Sequence, residues 1–155
     1  MVQGICFMGD GDERFEDCSR IRKEVFVREQ KVDPEEEFDG MDDAAAHVLI
    51  YDEEGNPVAT GRMLGMGEAT FKIGRLAVLK EYRKMGYGQL AVLLLMDKAR
   101  QCGGKRIYIE AQSHAKRFYE KLGFKTSGDA FMEVGIEHVP MVCELGEMKG
   151  CSCCK

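Results

Sequence analysis

Between Thr70 and Glu110 the chain passes through an extended apolar stretch, a glycine-bearing turn, a helix and a second extended stretch, and that order admits few folds. Thr70 to Leu79 has the apolar and β-branched content of a strand. Gly86 to Cys102 reads as a helix that is apolar at every position from Leu90 to Met96, the composition of a buried helix. Gly103-Gly104 caps it, and Arg106 to Glu110 is a strand again. Two neighbouring strands joined through a helix run parallel in one sheet, because the crossover returns the chain to the end from which it started.

The flanking sequence extends this unit. Val2 to Met8 predicts a strand, and Asp12 to Glu29 a helix with Phe15, Cys18, Ile21, Val25 and Phe26 near helical spacing. The acidic stretch Asp33 to Asp39 holds Pro34 and turn formers, which predicts a surface loop or short helix whose charges are solvated. Ala46 to Tyr51 and Pro57 to Leu64 flank the turn residues Glu53-Glu54-Gly55-Asn56, and with Thr70 to Leu79 they predict an antiparallel meander. Ala115 to Leu122 reads as a helix stopped by Gly123, followed by extended runs at Phe124 to Ser127 and His138 to Leu145. The order is that of a mixed α/β domain built on one sheet.

At 155 residues and 45% hydrophobic content, one domain over residues 1–146 is expected. Residues 147–155 form a Cys-rich tail, Cys151 to Cys154 included, that is expected to be disordered. A net charge of −5 from interspersed acids and bases argues against a nucleic-acid partner. The N-terminus lacks a basic then apolar leader pattern and no apolar run reaches membrane-spanning length, so a cytoplasmic protein without a membrane partner is expected. Cys6, Cys18, Cys102 and Cys143 lie within predicted elements as reduced packing residues, and no Cys or His spacing suggests a metal site.

The chemistry is concentrated in Arg83-Lys84-Met85-Gly86-Tyr87-Gly88, a turn that leads from a strand into a helix. Helix N-termini present unpaired amides and the positive end of a dipole, and glycines let backbone approach a phosphate. A pyrophosphate fits the amides of Met85 through Gln89, with Arg83 or Lys84 adding charge. The segment lacks the Lys-Ser/Thr ending of a nucleoside-triphosphate loop, and Ala91 stands where the dinucleotide fingerprint needs a third glycine.

Leu76-Ala77-Val78 followed by Tyr82 to Gly88 resembles motif A of the GNAT N-acetyltransferases, whose pattern is Arg/Gln-x-x-Gly-x-Gly/Ala. Ala115 to Phe124 resembles motif B of the same family, in the right order and at the right distance. The resemblance covers roughly Asp12 to Leu145. Ile21 to Gln30 and Gly135 to Met141 are similar to a bacterial-type subgroup of small, uncharacterised members. It implies a mixed, mostly antiparallel sheet that splays open between its fourth and fifth strands, flanked by helices. It further implies acetyl-CoA as cosubstrate, held in the gap with its pantetheine amides on the backbone of Leu76, Ala77 and Val78 and its pyrophosphate on Arg83, Lys84, Met85, Gly86, Tyr87, Gly88 and Gln89.

The resemblance implies transfer of an acetyl group to the primary amine of a small molecule or peptide by direct attack. Tyr119 is then the general acid for the departing thiolate, since a phenol of ordinary pKa about 10 matches a thiolate's basicity. A backbone N–H near Val78 polarises the carbonyl. Many members carry a basic carboxylate on the fourth strand, but Phe71 to Val78 holds none, only Lys72 and Arg75, so the base is left among Glu110, His138 and Glu35 to Glu37. An imidazole of ordinary pKa about 6.5 suits that role. Arg22, His47 and Arg62 are expected on the acceptor side, with Arg62 suited to a carboxylate. Gln112 stands where many members have Asn. A non-catalytic acyl-CoA sensor on the same fold is the alternative, and a homodimer is left open.

Overall fold

The computed structural model describes residues 1–146, so the expected tail at 147–155 lies outside the described residues. The elements are β1 (Gln3–Met8), α1 (Phe15–Arg22), α2 (Pro34–Glu37), β2 (Ala46–Tyr51), β3 (Pro57–Gly67), β4 (Thr70–Val78), α3 (Tyr87–Gln101), β5 (Arg106–Gln112), α4 (Lys116–Glu120), β6 (Lys125–Thr126), β7 (Phe131–Glu133) and β8 (Ile136–Glu144). The eight strands form one sheet in the order β1-β2-β3-β4-β5-β8-β6, with β7 also on β8. Every pair is antiparallel except β4 with β5.

Side chains alternate between the two faces of the sheet, and each face buries its own cluster. On one, Ile73, Ile107, Ile109, Ala111, Val139 and Met141 pack under α3 and α4. On the other, Phe7, Leu49 and Ala77 pack with Cys18, Ile21, Val25 and Phe26 of the α1 region. Helix α3 buries Ala91, Val92, Leu95, Met96 and Ala99, whereas Leu93 is 42% exposed. Its apolar circumference is therefore one wide buried face with an open flank.

The helix expected over Asp12 to Glu29 changes pitch midway. After α1 the residues Lys23–Glu29 wind more widely, and Gln30 N–H reaches the Val25 carbonyl five residues back at 3.0 Å. Lys31, at φ 63°, ends it.

The acidic stretch is not wholly solvated. Glu37 within it is 3% exposed, and Asp42 just beyond it 5%. Arg22 spans them, with Nε on Glu37 at 2.8 Å and Nη1 on Asp42 at 2.7 Å. Arg62 bonds Asp39 at 2.7 Å and Asp42 at 3.1 Å, and Arg75 reaches Glu37 at 3.0 Å. Removing one member strands buried charge, which costs about 3–5 kcal/mol when no partner remains. Asp42→Ala leaves each arginine one carboxylate, so a loss of about 2 kcal/mol in urea unfolding is expected.

The network also predicts an acid limb. Hydrogen bonding to Arg62 holds the Asp39 carboxyl below its ordinary range. Burial acts to raise Asp42, but its bonds and attraction to Arg22 and Arg62 outweigh that and lower it. A depressed carboxylate contributes stability that is complete above the unfolded pKa of about 3.9 and is lost as pH falls through the folded value. The thermal midpoint should therefore drop below about pH 4, and Asp39→Asn should flatten that drop.

Candidate active site

The parallel pairing of β4 and β5 begins at Thr70–Arg106 and stops at Ile73–Ile109. Both strands continue, β4 to Val78 and β5 to Gln112, so a gap opens between them with backbone from each side facing it. A bulge contributes. Thr60 pairs with Ala77 but Arg62 with Gly74, so β4 carries one extra residue, and Arg75 there is left-handed at φ 53°. Such an insertion bends the strand and ends regular pairing.

At the far end of β4 the chain turns through Lys80–Tyr82 into the loop before α3. Lys84 has φ 65° and Gly86 φ 90°, and no side chain caps the helix. The first intrahelical bond is Leu90 N–H to the Gly86 carbonyl at 3.1 Å, which leaves the preceding amides directed out of the helix end. A Cβ built on Gly88 would lie 3.4 Å from Val78 and 3.6 Å from Phe118, so Gly88 keeps clear the channel between β4 and α4. These features suit a phosphate-bearing thioester: a positive helix end, bare amides and an open strand edge.

Of the charged side chains of the loop, Arg83 is otherwise engaged. Arg83 binds Glu29 through two bonds of 2.6 and 2.8 Å, and its Nε donates to the Val78 carbonyl at 2.9 Å. That contact lowers the Glu29 carboxyl's pKa.

Tyr119 lies on the α3 side of the sheet, 8% exposed. Its ring meets Phe118 and Phe124 edge-on at 5.0 and 5.6 Å. Burial alone pushes its pKa well above the ordinary phenol value, so it is held as a neutral donor.

Gln112 and His138 are directly opposed in the β5–β8 register, and opposed residues share a face. Ile109 and Ala111 point to the α3 side, so Glu110, Gln112 and His138 point to the α1 side. His138 Nδ1 lies 2.7 Å from the Ile136 carbonyl, which assigns the proton to Nδ1 and leaves Nε2 as an acceptor. Phe131 stacks on the imidazole at 5.8 Å. Glu110 is ion-paired with Lys72.

Arg22 and His47, expected on the acceptor side, are each 1% exposed. His47 is bonded to the Asp42 carbonyl at 2.9 Å and lies against Phe7 and Phe15. Burial lowers its pKa and keeps it neutral. Arg62, 6% exposed, does border a groove of about 650 Å³ together with Glu35, Glu36, Asp39, Lys72, Arg75 and Glu133. Lys72, Arg75 and Glu133 join this site without any sequence signal beyond their charge.

The chain matches the family model described as an acetyltransferase (GNAT) domain over residues 14–145. It is 40% identical over 129 residues to the uncharacterized protein YyaT of Bacillus subtilis (strain 168), covering 81% of this chain and 86% of that protein. It is 36% identical over 132 residues to the uncharacterized N-acetyltransferase YjcF of the same organism, covering 84% and 93%. A solved acyl-CoA N-acyltransferase from Pseudomonas aeruginosa superposes with a TM-score of 0.78 at 27% identity, covering 92% and 99%. With fold, motif positions and relatives in agreement, the chain belongs to the GNAT acetyltransferase family.

Proposed function

We propose that the protein moves an acetyl group from acetyl-CoA to a primary amine across the β4–β5 gap. The observation that carries this reading is the end of pairing at Ile73–Ile109, because it leaves a slot open to both faces of the sheet. On the α3 side lie the bare amides of the helix end and Tyr119; on the α1 side lie His138, Glu110 and the charged groove. Donor and acceptor then approach from opposite faces.

In this mechanism the amides of Met85 to Gln89 hold the donor's pyrophosphate, and the freed edge of β4 aligns its pantetheine arm as an added strand would. His138 Nε2 takes the proton that the attacking amine releases, directly or through water. A backbone N–H near Val78 bonds the carbonyl oxygen as negative charge grows on it. The new C–N bond forms, the C–S bond breaks, and Tyr119 gives its hydroxyl proton to the sulfur. His138 is the favoured base because none of the described residues occupies Nε2, whereas Glu110 is held by the Lys72 ammonium.

The groove also sets the acceptor's charge. Arg62, Lys72 and Arg75 are already paired with Asp39, Glu110 and Glu37, so they have little left for a substrate carboxylate. Glu35, Glu36 and Glu133 have no ion-pair partner among the described residues. An acceptor with a second positive charge, such as a polyamine or a basic peptide, fits this groove best.

Thiol release from acetyl-CoA, measured across mono-, di- and polyamines and anionic amines, tests the reading: turnover should rise with acceptor cationic charge. CoA binding without thiol release from any amine would make the chain a sensor instead. His138→Gln should lower kcat at least about tenfold, within reach of a positioned base, with CoA affinity unchanged. Equal kcat in a folded variant would return the role to Glu110 or to water.

A further inference from the structure

The side-chain amides of Gln30 and Gln112 pair reciprocally, with Gln112 Nε2 donating to Gln30 Oε1 at 2.9 Å and Gln30 Nε2 donating to Gln112 Oε1 at 3.3 Å. These residues are 82 positions apart and belong to opposite sides of the gap. Gln112 ends β5, beyond the last β4–β5 pair. Gln30 follows the wide helical turn whose Val25 and Phe26 pack with Ala77 of β4.

The neighbouring residue ties down the near wall. Glu29 binds Arg83, and Arg83 bonds the Val78 carbonyl at the end of β4. One dipeptide, Glu29-Gln30, is thus joined to both strand ends that border the opening. The wider winding ends at this dipeptide, with Gln30 N–H on the Val25 carbonyl.

We propose that the Gln30–Gln112 bridge is a polar wall across only the wide end of the gap on its α1 side, leaving the stretch beside Glu110 and the charged groove open to the acceptor, and that it sets the length of acyl chain that the gap accepts, restricting it to acetyl. This rests on reading the gap as the acyl-CoA site. A chain entering from the α3 side ends against the paired amides. Each methylene beyond acetyl must then either meet them or force apart a pair of mutually satisfied hydrogen-bonding groups, leaving them without partners at an apolar surface. One methylene in such a pocket discriminates by roughly 10-fold or more. Gln30 is a positioning residue here, since it acts by holding Gln112.

Calorimetry with CoA, acetyl-CoA and butyryl-CoA tests this without knowledge of the acceptor. The wild-type protein should bind butyryl-CoA at least about tenfold more weakly than acetyl-CoA. Gln30→Ala, and Gln30→Asn as the milder variant that retracts the amide by one methylene, should bring the two affinities within about threefold while leaving CoA itself bound as in the wild type. A purely structural role for Gln30 would lower the melting temperature and weaken all three ligands together. The proposal is overturned if the wild-type protein binds both acyl forms alike, or if the ratio survives in either folded variant. Failure of the wild-type protein to bind CoA at all would instead remove the underlying site.

Discussion

Gly88→Glu is expected to abolish CoA binding in a protein that still folds. The Cβ would sit 3.4 Å from Val78 and 3.6 Å from Phe118, ordinary contact distances that the fold tolerates. A carboxylate in the first turn of α3 even favours the helix, since it faces the positive dipole end. The same carboxylate stands where the pyrophosphate is proposed to bind, so it competes for the amides and repels the phosphates. Folding and binding are thus pushed in opposite directions. Urea unfolding should show stability held or slightly raised, while calorimetry shows no heat with CoA. Gly88→Ala adds only the methyl group and should weaken CoA about tenfold. Native affinity in Gly88→Glu would show that the pyrophosphate binds elsewhere.

Tyr119→Phe is expected to lower kcat by about 10²-fold with acetyl-CoA affinity unchanged, the usual contribution of a positioned acid. The ring contacts with Phe118 and Phe124 survive the substitution, so the fold should persist. Burial keeps the phenol protonated throughout the working pH range; that makes it a dependable donor and a weaker acid than a solvated phenol. It gives up its proton only to a strong base, which the thiolate becomes in the same low-dielectric site. The loss should therefore shrink with donors whose thiols are more acidic and leave unaided. A fall in affinity with unchanged kcat would mean that the hydroxyl holds the donor. Wild-type kinetics would assign the proton to water.

What can be read from the sequence follows how local each signal is. The loop before α3 is legible because Gly86 takes φ 90° and Gly88 leaves the channel beside Val78 and Phe118 unfilled, and both features appear as residue identities within six positions. The meander is legible from short connections, and the parallel pair from the helix between its strands. The gap has no local signature: the apolar pattern of Phe71 to Val78 reads the same whether or not β5 pairs with it, and only the family resemblance implies the splay. Strand β7 has three residues before the left-handed turn at Val134 and Gly135, too few for a period to show.

Charges mislead for the same reason. Asp33 to Asp39 looks like a solvated run because the arginines that bury Glu37 and Asp42 come from α1, β3 and β4. Arg22 looks like a substrate ligand in sequence because nothing near it announces two carboxylates 15 and 20 residues away. The Gln30–Gln112 bridge, at a separation of 82 residues, is visible only once the sheet is assembled.

A crystal grown with CoA locates the pyrophosphate. It should lie on the backbone amides of Met85 to Gln89, with the pantetheine arm running along Leu76 to Val78 and the sulfur within hydrogen-bonding reach of the Tyr119 hydroxyl. CoA bound away from the β4–β5 gap, or a gap left empty at millimolar CoA, would contradict this placement.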